Sequence, residues 1–168
     1  IRCNGQMCKT DSQDLGQLDA VVKSYEKALA INPEFAEAFN NLGNTCKELG
    51  QLVAAVKSYE KAIDSKPDYV DACNNLGNAF KKLGQLDAAV KSYEKALAIN
   101  PDFAEAFNNL GNTFKELGQL VAAVKSYEKA IASKPDYADA CNNLGNAFKK
   151  LGQLDAAVKS YEKALTIN

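Results

Sequence analysis

The sequence predicts an all-α solenoid of antiparallel helix pairs, about four and a half repeats long, and three observations carry that reading. The four prolines, Pro33, Pro67, Pro101 and Pro135, stand 34 residues apart. The glycine pairs Gly43/Gly50, Gly77/Gly84, Gly111/Gly118 and Gly145/Gly152 keep the same step. Between these punctuation marks the apolar residues recur at helical spacing, and self-similarity at a fixed period of this size marks stacked helical hairpins.

The elements follow in chain order. Residues 1–14 align with 35–48 but carry Gly5, Cys8, Lys9 and Ser12 at the four positions that should pack. A lysine at the closest helix crossing would need a costly burial, so this segment is expected to be frayed or packed unlike the rest. Residues 15–35 read as a second helix without its partner. Repeats then occupy 36–69, 70–103 and 104–137, and 138–168 is a fourth that stops short of the full period. A second period of 68 lies beneath the first: residues 36–100 and 104–168 differ only at Cys46/Phe114, Asp64/Ala132, Val70/Ala138 and Ala98/Thr166.

Within a repeat, numbered from Ala36, Val70, Ala104 or Ala138 as position 1, the invariant Gly at position 15 permits a left-handed residue and the Pro at 32 stops whatever precedes it. Helix A is therefore expected over about positions 1–14 and helix B over about 16–30. Asp68 with Asp71 and Asp102 with Glu105 put acids where a cap and a first turn favour negative charge. At 100° per residue, positions 4, 7, 8 and 11 of helix A form the predicted core stripe, for example Phe107, Leu110, Gly111 and Phe114, while 2, 5, 6, 9, 12 and 13 lie opposite. Helix B is apolar at 17, 20, 21, 24, 27 and 28, as in Leu86, Ala89, Val90, Tyr93, Ala96 and Leu97. Small residues at 8, 20 and 27 are expected to set a close helix spacing, and the lysines and glutamates of helix B to form a solvated outer face.

Composition narrows the function. The chain is 46% hydrophobic and 24% charged, enough apolar residue to bury a core, and its net charge of -1 offers no field for nucleic acid. With no histidine, the Ser-His-Asp and Cys-His catalytic pairs and histidine metal sites are excluded. The acids recur every 34 residues rather than converging, so neither an enzyme nor a cofactor is expected. No apolar run approaches the ~18 residues of a membrane span. Cys3, Cys8, Cys46, Cys73 and Cys141 show no metal or redox spacing, and the last two replace Phe39 and Phe107 of neighbouring repeats. They read as reduced, small buried hydrophobes. The compartment stays open, with the cytoplasm as the default.

The 34-residue length, the large residue at 4, Leu at 7, Gly at 8, aromatic at 11, Ala at 20, Tyr at 24, Ala at 27 and Pro at 32 together resemble the tetratricopeptide repeat. The resemblance covers 36–168 and the helix at 18–29. It departs from the family at position 4, where Phe or Cys stands for the usual Trp, which should lower packing rather than change the fold. It implies a right-handed superhelix of helical hairpins whose A helices line a concave groove for partner peptides. The N-N-L-G-N and G-Q-L segments are similar to repeats of O-linked N-acetylglucosamine transferases and of bacterial multidomain proteins. That likeness implies an alternative role, the substrate-recognition or targeting arm of a larger enzyme such as a glycosyltransferase.

The stripe expected to face the groove is asparagine at positions 5, 6 and 9 of every complete repeat: Asn40, Asn41 and Asn44; Asn74, Asn75 and Asn78; Asn108, Asn109 and Asn112; Asn142, Asn143 and Asn146. Asparagine is a mediocre helix former, so so many on one stripe need a reason. An amide both donates and accepts, so a ladder of them could hold the backbone of an extended peptide; the competing reading is that they bond to one another or to water. Glu37, Asp71, Glu105 and Asp139 make one edge acidic, and Lys47, Lys81, Lys115 and Lys149 make the other basic. A carboxylate clamp for an acidic tail is not expected, since positions 5 and 6 carry no cation.

The expected partners are thus a protein or peptide, with no nucleic acid and no membrane, and a second copy of the chain. Repeat stacks need polar end caps. Leu154, Val158, Tyr161 and Leu165 at one end, and Leu18, Val21, Val22 and Tyr25 at the other, read as apolar faces without a covering helix, which predicts end-to-end stacking into homo-oligomers.

Overall fold

The computed structural model of the chain describes residues 35–167 continuously, together with Ala20, residues 22–25, Lys27 and Asn32. The expectations for residues 1–14 and for Leu18 and Val21 lie outside the described residues. Ala20, residues 22–25 and Lys27 are helical, in keeping with a helix B at that point.

Eight further helices follow: α1 Ala36–Glu48, α2 Leu52–Ser65, α3 Val70–Lys82, α4 Leu86–Ile99, α5 Ala104–Glu116, α6 Leu120–Ser133, α7 Ala138–Lys150 and α8 Leu154–Ile167. Among the described residues there is no strand. The chain divides into two compact units, Ile1–Ala79 and Phe80–Asn168. In the first, α1 packs on α2; in the second, α5 packs on α4, α6 on α5, α7 on α6 and α8 on α7.

The punctuation works as the sequence requires. Gly50, Gly84, Gly118 and Gly152 adopt φ of 74° to 75°, the left-handed region that a side chain disfavours, and the next helix begins two residues later. The glycine at position 8 acts differently. A Cβ on Gly111 would lie 2.6 Å from the ring of Tyr127, and one on Gly43 2.5 Å from that of Tyr59. The ring of Tyr at position 24 packs against that bare backbone, so the close spacing expected from the small residues at 8, 20 and 27 is filled at position 8 by a tyrosine ring. Ala55, Ala62, Ala89, Ala96, Ala123 and Ala130 are fully buried beside it.

One core joins Ala123, Val124 and Tyr127 of α6 to Leu144, Ala147 and Phe148 of α7 and to Leu151 just after it. A second joins Ala89 and Tyr93 of α4 to Leu110 and Phe114 of α5. Helix A is therefore apolar on more than the one predicted stripe. Positions 3 and 10 are buried as well, as Ala106, Thr113, Ala140 and Ala147 show, because each helix A packs on helix B of the repeat before it as well as on its own.

The expected aspartate caps are corrected. Phe35, Phe103 and Tyr137 occupy the N-cap positions of α1, α5 and α7 and make no side-chain cap bond. Asp102 sits one residue too early, in the turn, where its amide donates to Asn100 Oδ1 at 3.2 Å. Glu37, Asp71, Glu105 and Asp139 do stand in first turns, where the helix dipole favours them. Cys46, Cys73 and Cys141 are reduced and buried, as small hydrophobes. Among the described residues no helix is long and apolar enough to cross a membrane, and no group of acidic, cysteine or histidine side chains could hold a metal ion.

Candidate functional site

The asparagines separate into three environments that the sequence stripe does not distinguish. At position 5, Asn40, Asn74 and Asn108 are buried, 3–6% exposed, whereas Asn142 in the last repeat is exposed. Asn40 and Asn108 lie between repeats. Asn75 Nδ2 donates to Asn40 Oδ1 at 3.1 Å, and Asn143 Nδ2 to Asn108 Oδ1 at 3.0 Å. Asn108 also donates from Nδ2 to the Tyr137 hydroxyl at 3.4 Å. Three of the four position-5 asparagines expected on the groove surface are thus interior, because a helix A has a neighbour on that side too. Asn74 also has a partner.

At position 9 the amide oxygen faces helix B. The hydroxyls of Tyr59, Tyr127 and Tyr161 donate to Asn44, Asn112 and Asn146 Oδ1 at 2.8, 2.9 and 3.0 Å. Lys47 and Lys115 Nζ approach the same oxygens of Asn44 and Asn112 at 3.4 and 3.2 Å. A lysine ammonium can only donate, which identifies the atom facing it as the oxygen. The nitrogen, on the other arm of the planar amide, is directed elsewhere. Asn78 lies half-buried and partnered.

At position 6, Asn41 is exposed and Asn75, Asn109 and Asn143 are half-buried. Asn75 and Asn143 spend one N–H on the repeat before. The Asn109 carbonyl accepts the hydroxyl of the fully buried Thr113 at 2.9 Å.

Glu37 meets Lys66 at 3.8 Å across the exposed surface, while Asp71, Glu105 and Asp139 stay exposed. Lys81 Nζ meets Glu116 Oε1 at 3.1 Å. Burial, then the charges of Lys150 and Lys81, pull the Lys115 ammonium below the usual lysine range, with Glu116 opposing. Lys149 is exposed. Burial holds the Tyr59, Tyr93 and Tyr127 hydroxyls well above the usual tyrosine range; a hydrogen bond with Thr113 opposes this at Tyr93.

Sequence reasoning missed the serine at position 23. Ser58, Ser92, Ser126 and Ser160 are buried and donate to the carbonyls of Ala54, Ala88, Ala122 and Ala156 at 2.8–3.0 Å. A hydroxyl satisfied within its own helix packs as a small residue, and only the invariance of the position from repeat to repeat signals this. Among the described residues no buried side-chain nitrogen or oxygen lacks a partner. A separate cleft of about 610 Å³, floored by Leu97, Phe107 and Leu110 and rimmed by Glu94 and Lys129, contains none of the asparagines.

At the exposed end, Leu154, Val158 and Leu165 of α8 are 62%, 53% and 76% exposed, and Tyr161 is half-buried. Val22 and Tyr25 are half-buried.

Residues 14–50, 43–84, 77–118 and 111–152 match the family described as TPR repeat, and residues 138–168 match that described as tetratricopeptide repeat. No curated protein sequence matches the chain. Among solved structures, a crystal structure of MamA is 29% identical, with a TM-score of 0.85 over 99% of this chain and 95% of that one. MamA residues 41 to the end from Desulfovibrio magneticus RS-1 are 19% identical, with a TM-score of 0.82 over 96% and 93%. YrrB, described as a TPR protein with an unusual peptide-binding site, is 24% identical, with a TM-score of 0.75 over 93% and 80%. The glycine, alanine and tyrosine positions pack as the repeat demands and the matches run from residue 14 to residue 168, so the chain belongs to the tetratricopeptide repeat family, whose helix pairs form scaffolds for protein interaction.

Proposed function

We propose that the chain holds an extended peptide along its A helices through asparagine amide nitrogens. The observation that carries this reading is the fixed orientation at position 9. Tyr59, Tyr127 and Tyr161 engage the oxygens of Asn44, Asn112 and Asn146, which leaves the N–H groups as donors for the carbonyls of a ligand backbone. A donor whose orientation is set before binding loses less entropy when the ligand arrives. Position 5 serves the scaffold, so the ladder is narrower than three asparagines per repeat: positions 6 and 9 carry it. The peptide would be held through its backbone, weakly and with broad tolerance of side chains.

Replacing Asn44, Asn112 and Asn146 together by Asp tests this. Aspartate still accepts from tyrosine and lysine but has no N–H to offer. The triple variant should keep its helicity and unfolding midpoint and lose binding of a backbone-only probe, the octapeptide (Gly-Ser)4; unchanged affinity refutes the ladder. Alanine at Asn75, Asn78, Asn109 and Asn112 is a less discriminating test, since it also cuts the bonds to Asn40 and Tyr127.

The exposed Leu154, Val158 and Leu165 of α8 support a second reading, self-association with another copy of the chain. The enzyme-arm alternative uses the same A-helix face, and the reading frame around this sequence tests it: a fused glycosyltransferase domain would favour substrate presentation.

A further inference from the structure

The A helices carry a charge ladder that is closed at one step and open at the next. Position 12 of α3 lies beside position 13 of α5. Between α3 and α5 this places Lys81 Nζ 3.1 Å from Glu116 Oε1. Between α5 and α7 the same two positions are Lys115 and Lys150. Two lysines thus stand at the positions that carry the ion pair one step earlier. Like charges so placed repel, and the Lys115 ammonium is pulled below its usual range by burial and by Lys150 and Lys81. Lys115 Nζ donates to Asn112 Oδ1 at 3.2 Å, on the face where the ladder's amides lie. Among the described residues, Lys150 has no carboxylate within ion-pair distance.

From this geometry we infer that Lys115 and Lys150 form a site for a carboxylate supplied by a bound peptide, an Asp or Glu side chain bridging the two ammonium groups as Glu116 meets Lys81. This rests on the groove reading for the ligand's backbone and adds to it a side-chain preference at one step. The two oxygens of a carboxylate suit two donors, and charge-assisted hydrogen bonds are about twice as strong as neutral ones. The Glu and Asp row at position 2 is at the opposite end of each helix A, so an acidic residue is favoured near the α5 and α7 C-termini.

Three octapeptides with the same alternating backbone, (Gly-Glu)4, (Gly-Ser)4 and (Gly-Lys)4, provide the test, read by fluorescence anisotropy at low salt together with the ¹³Cε shifts of Lys115 and Lys150. The native chain should bind (Gly-Glu)4 about tenfold more tightly than (Gly-Ser)4, the effect of one charge-assisted bond, and both lysine signals should move. Lys150→Glu fills the step as Glu116 does. It should abolish the preference without lowering the unfolding midpoint, whereas Lys125→Glu, an equal charge change on exposed α6, should preserve it. A preference that survives Lys150→Glu, one lost equally in Lys125→Glu, or tighter binding of (Gly-Lys)4 overturns the inference. So does a shift of both lysine signals by inorganic phosphate alone with none by (Gly-Glu)4, which would mark a free-anion site. Failure of (Gly-Ser)4 to bind, with (Gly-Glu)4 bound and sensitive to Lys150→Glu, removes the amide ladder and leaves the lysine site standing.

Discussion

At the residue scale the tightest constraint is a missing atom. Alanine is a better helix former than glycine by about 0.5–1 kcal/mol, so Gly111→Ala would stabilise an isolated α5. In the fold its Cβ would meet three ring carbons of Tyr127 at 2.6–3.0 Å, and that ring is fully buried. Overpacking of this kind costs about 1–3 kcal/mol, so the clash wins and denaturant unfolding should show net destabilisation. Gly145→Ala, against the half-buried Tyr161, should cost less, because that ring can shift toward solvent. The buried tyrosines make a second prediction. Each is held neutral in the folded chain, above the unfolded value of about 10. Their contribution is complete below that pH and is lost as pH climbs from 10 through the raised folded value. Stability should therefore fall steeply above pH 10, and Tyr127→Phe should make that slope shallower in the same unfolding experiment. Glycine at position 8 was legible in the sequence as a close approach, but not what approaches it: the partner, Tyr at position 24, is sixteen residues away and appears only once the two helices are paired.

At the element scale the helix limits were legible almost to the residue, since Gly at 15 and Pro at 32 are backbone rules that operate without tertiary context. The faces of helix A were legible only in part. A helical wheel treats a helix as having one inside and one outside, which holds for helix B with its solvated lysines and glutamates. Helix A in a repeat stack has neighbours on three sides, so Ala at 3, Asn at 5 and Thr or Ala at 10 are buried without being strongly apolar. That is why Asn40, Asn74 and Asn108 were expected on a surface and are buried, Asn40 and Asn108 against the next repeat. The last repeat supplies a natural control. Asn108→Ala removes the acceptor of Asn143 Nδ2 in a buried setting and should cost about 1–3 kcal/mol. Asn142→Ala, the same substitution at the exposed copy of that position, should change stability by no more than about 0.5 kcal/mol. Equal effects in thermal unfolding would show that position 5 does not act through its neighbour.

At the scale of the whole molecule the sequence period itself forecasts the surface that is left over. Val124 of α6 is 8% exposed because Leu144, Ala147 and Phe148 of α7 cover it; its counterpart one repeat later, Val158 of α8, is 53% exposed. Leu154 and Leu165 share that open face. A second copy of the chain offers apolar residues to cover it, and Val22 and Tyr25, half-buried near the other end, are the expected counterpart. Burying about four such side chains contributes roughly 6–12 kcal/mol gross at ~1.5–3 each. Association opposes this with on the order of 4–15 kcal/mol of lost freedom, so the two terms nearly cancel. The expected behaviour is neither a tight dimer nor a strict monomer but association that rises with concentration. Because the two faces differ, such a contact would be head to tail and would not close on itself, so it would extend to chains of copies rather than stop at two. Sedimentation velocity across micromolar to millimolar protein should show an average mass that climbs without a plateau at the dimer. Val158→Glu with Leu165→Glu places two charges on the face and should return the chain to a monomer at every concentration with its helicity unchanged. A native chain that sediments as a monomer throughout that range would show that partial exposure of four side chains is too little to overcome the entropy of association.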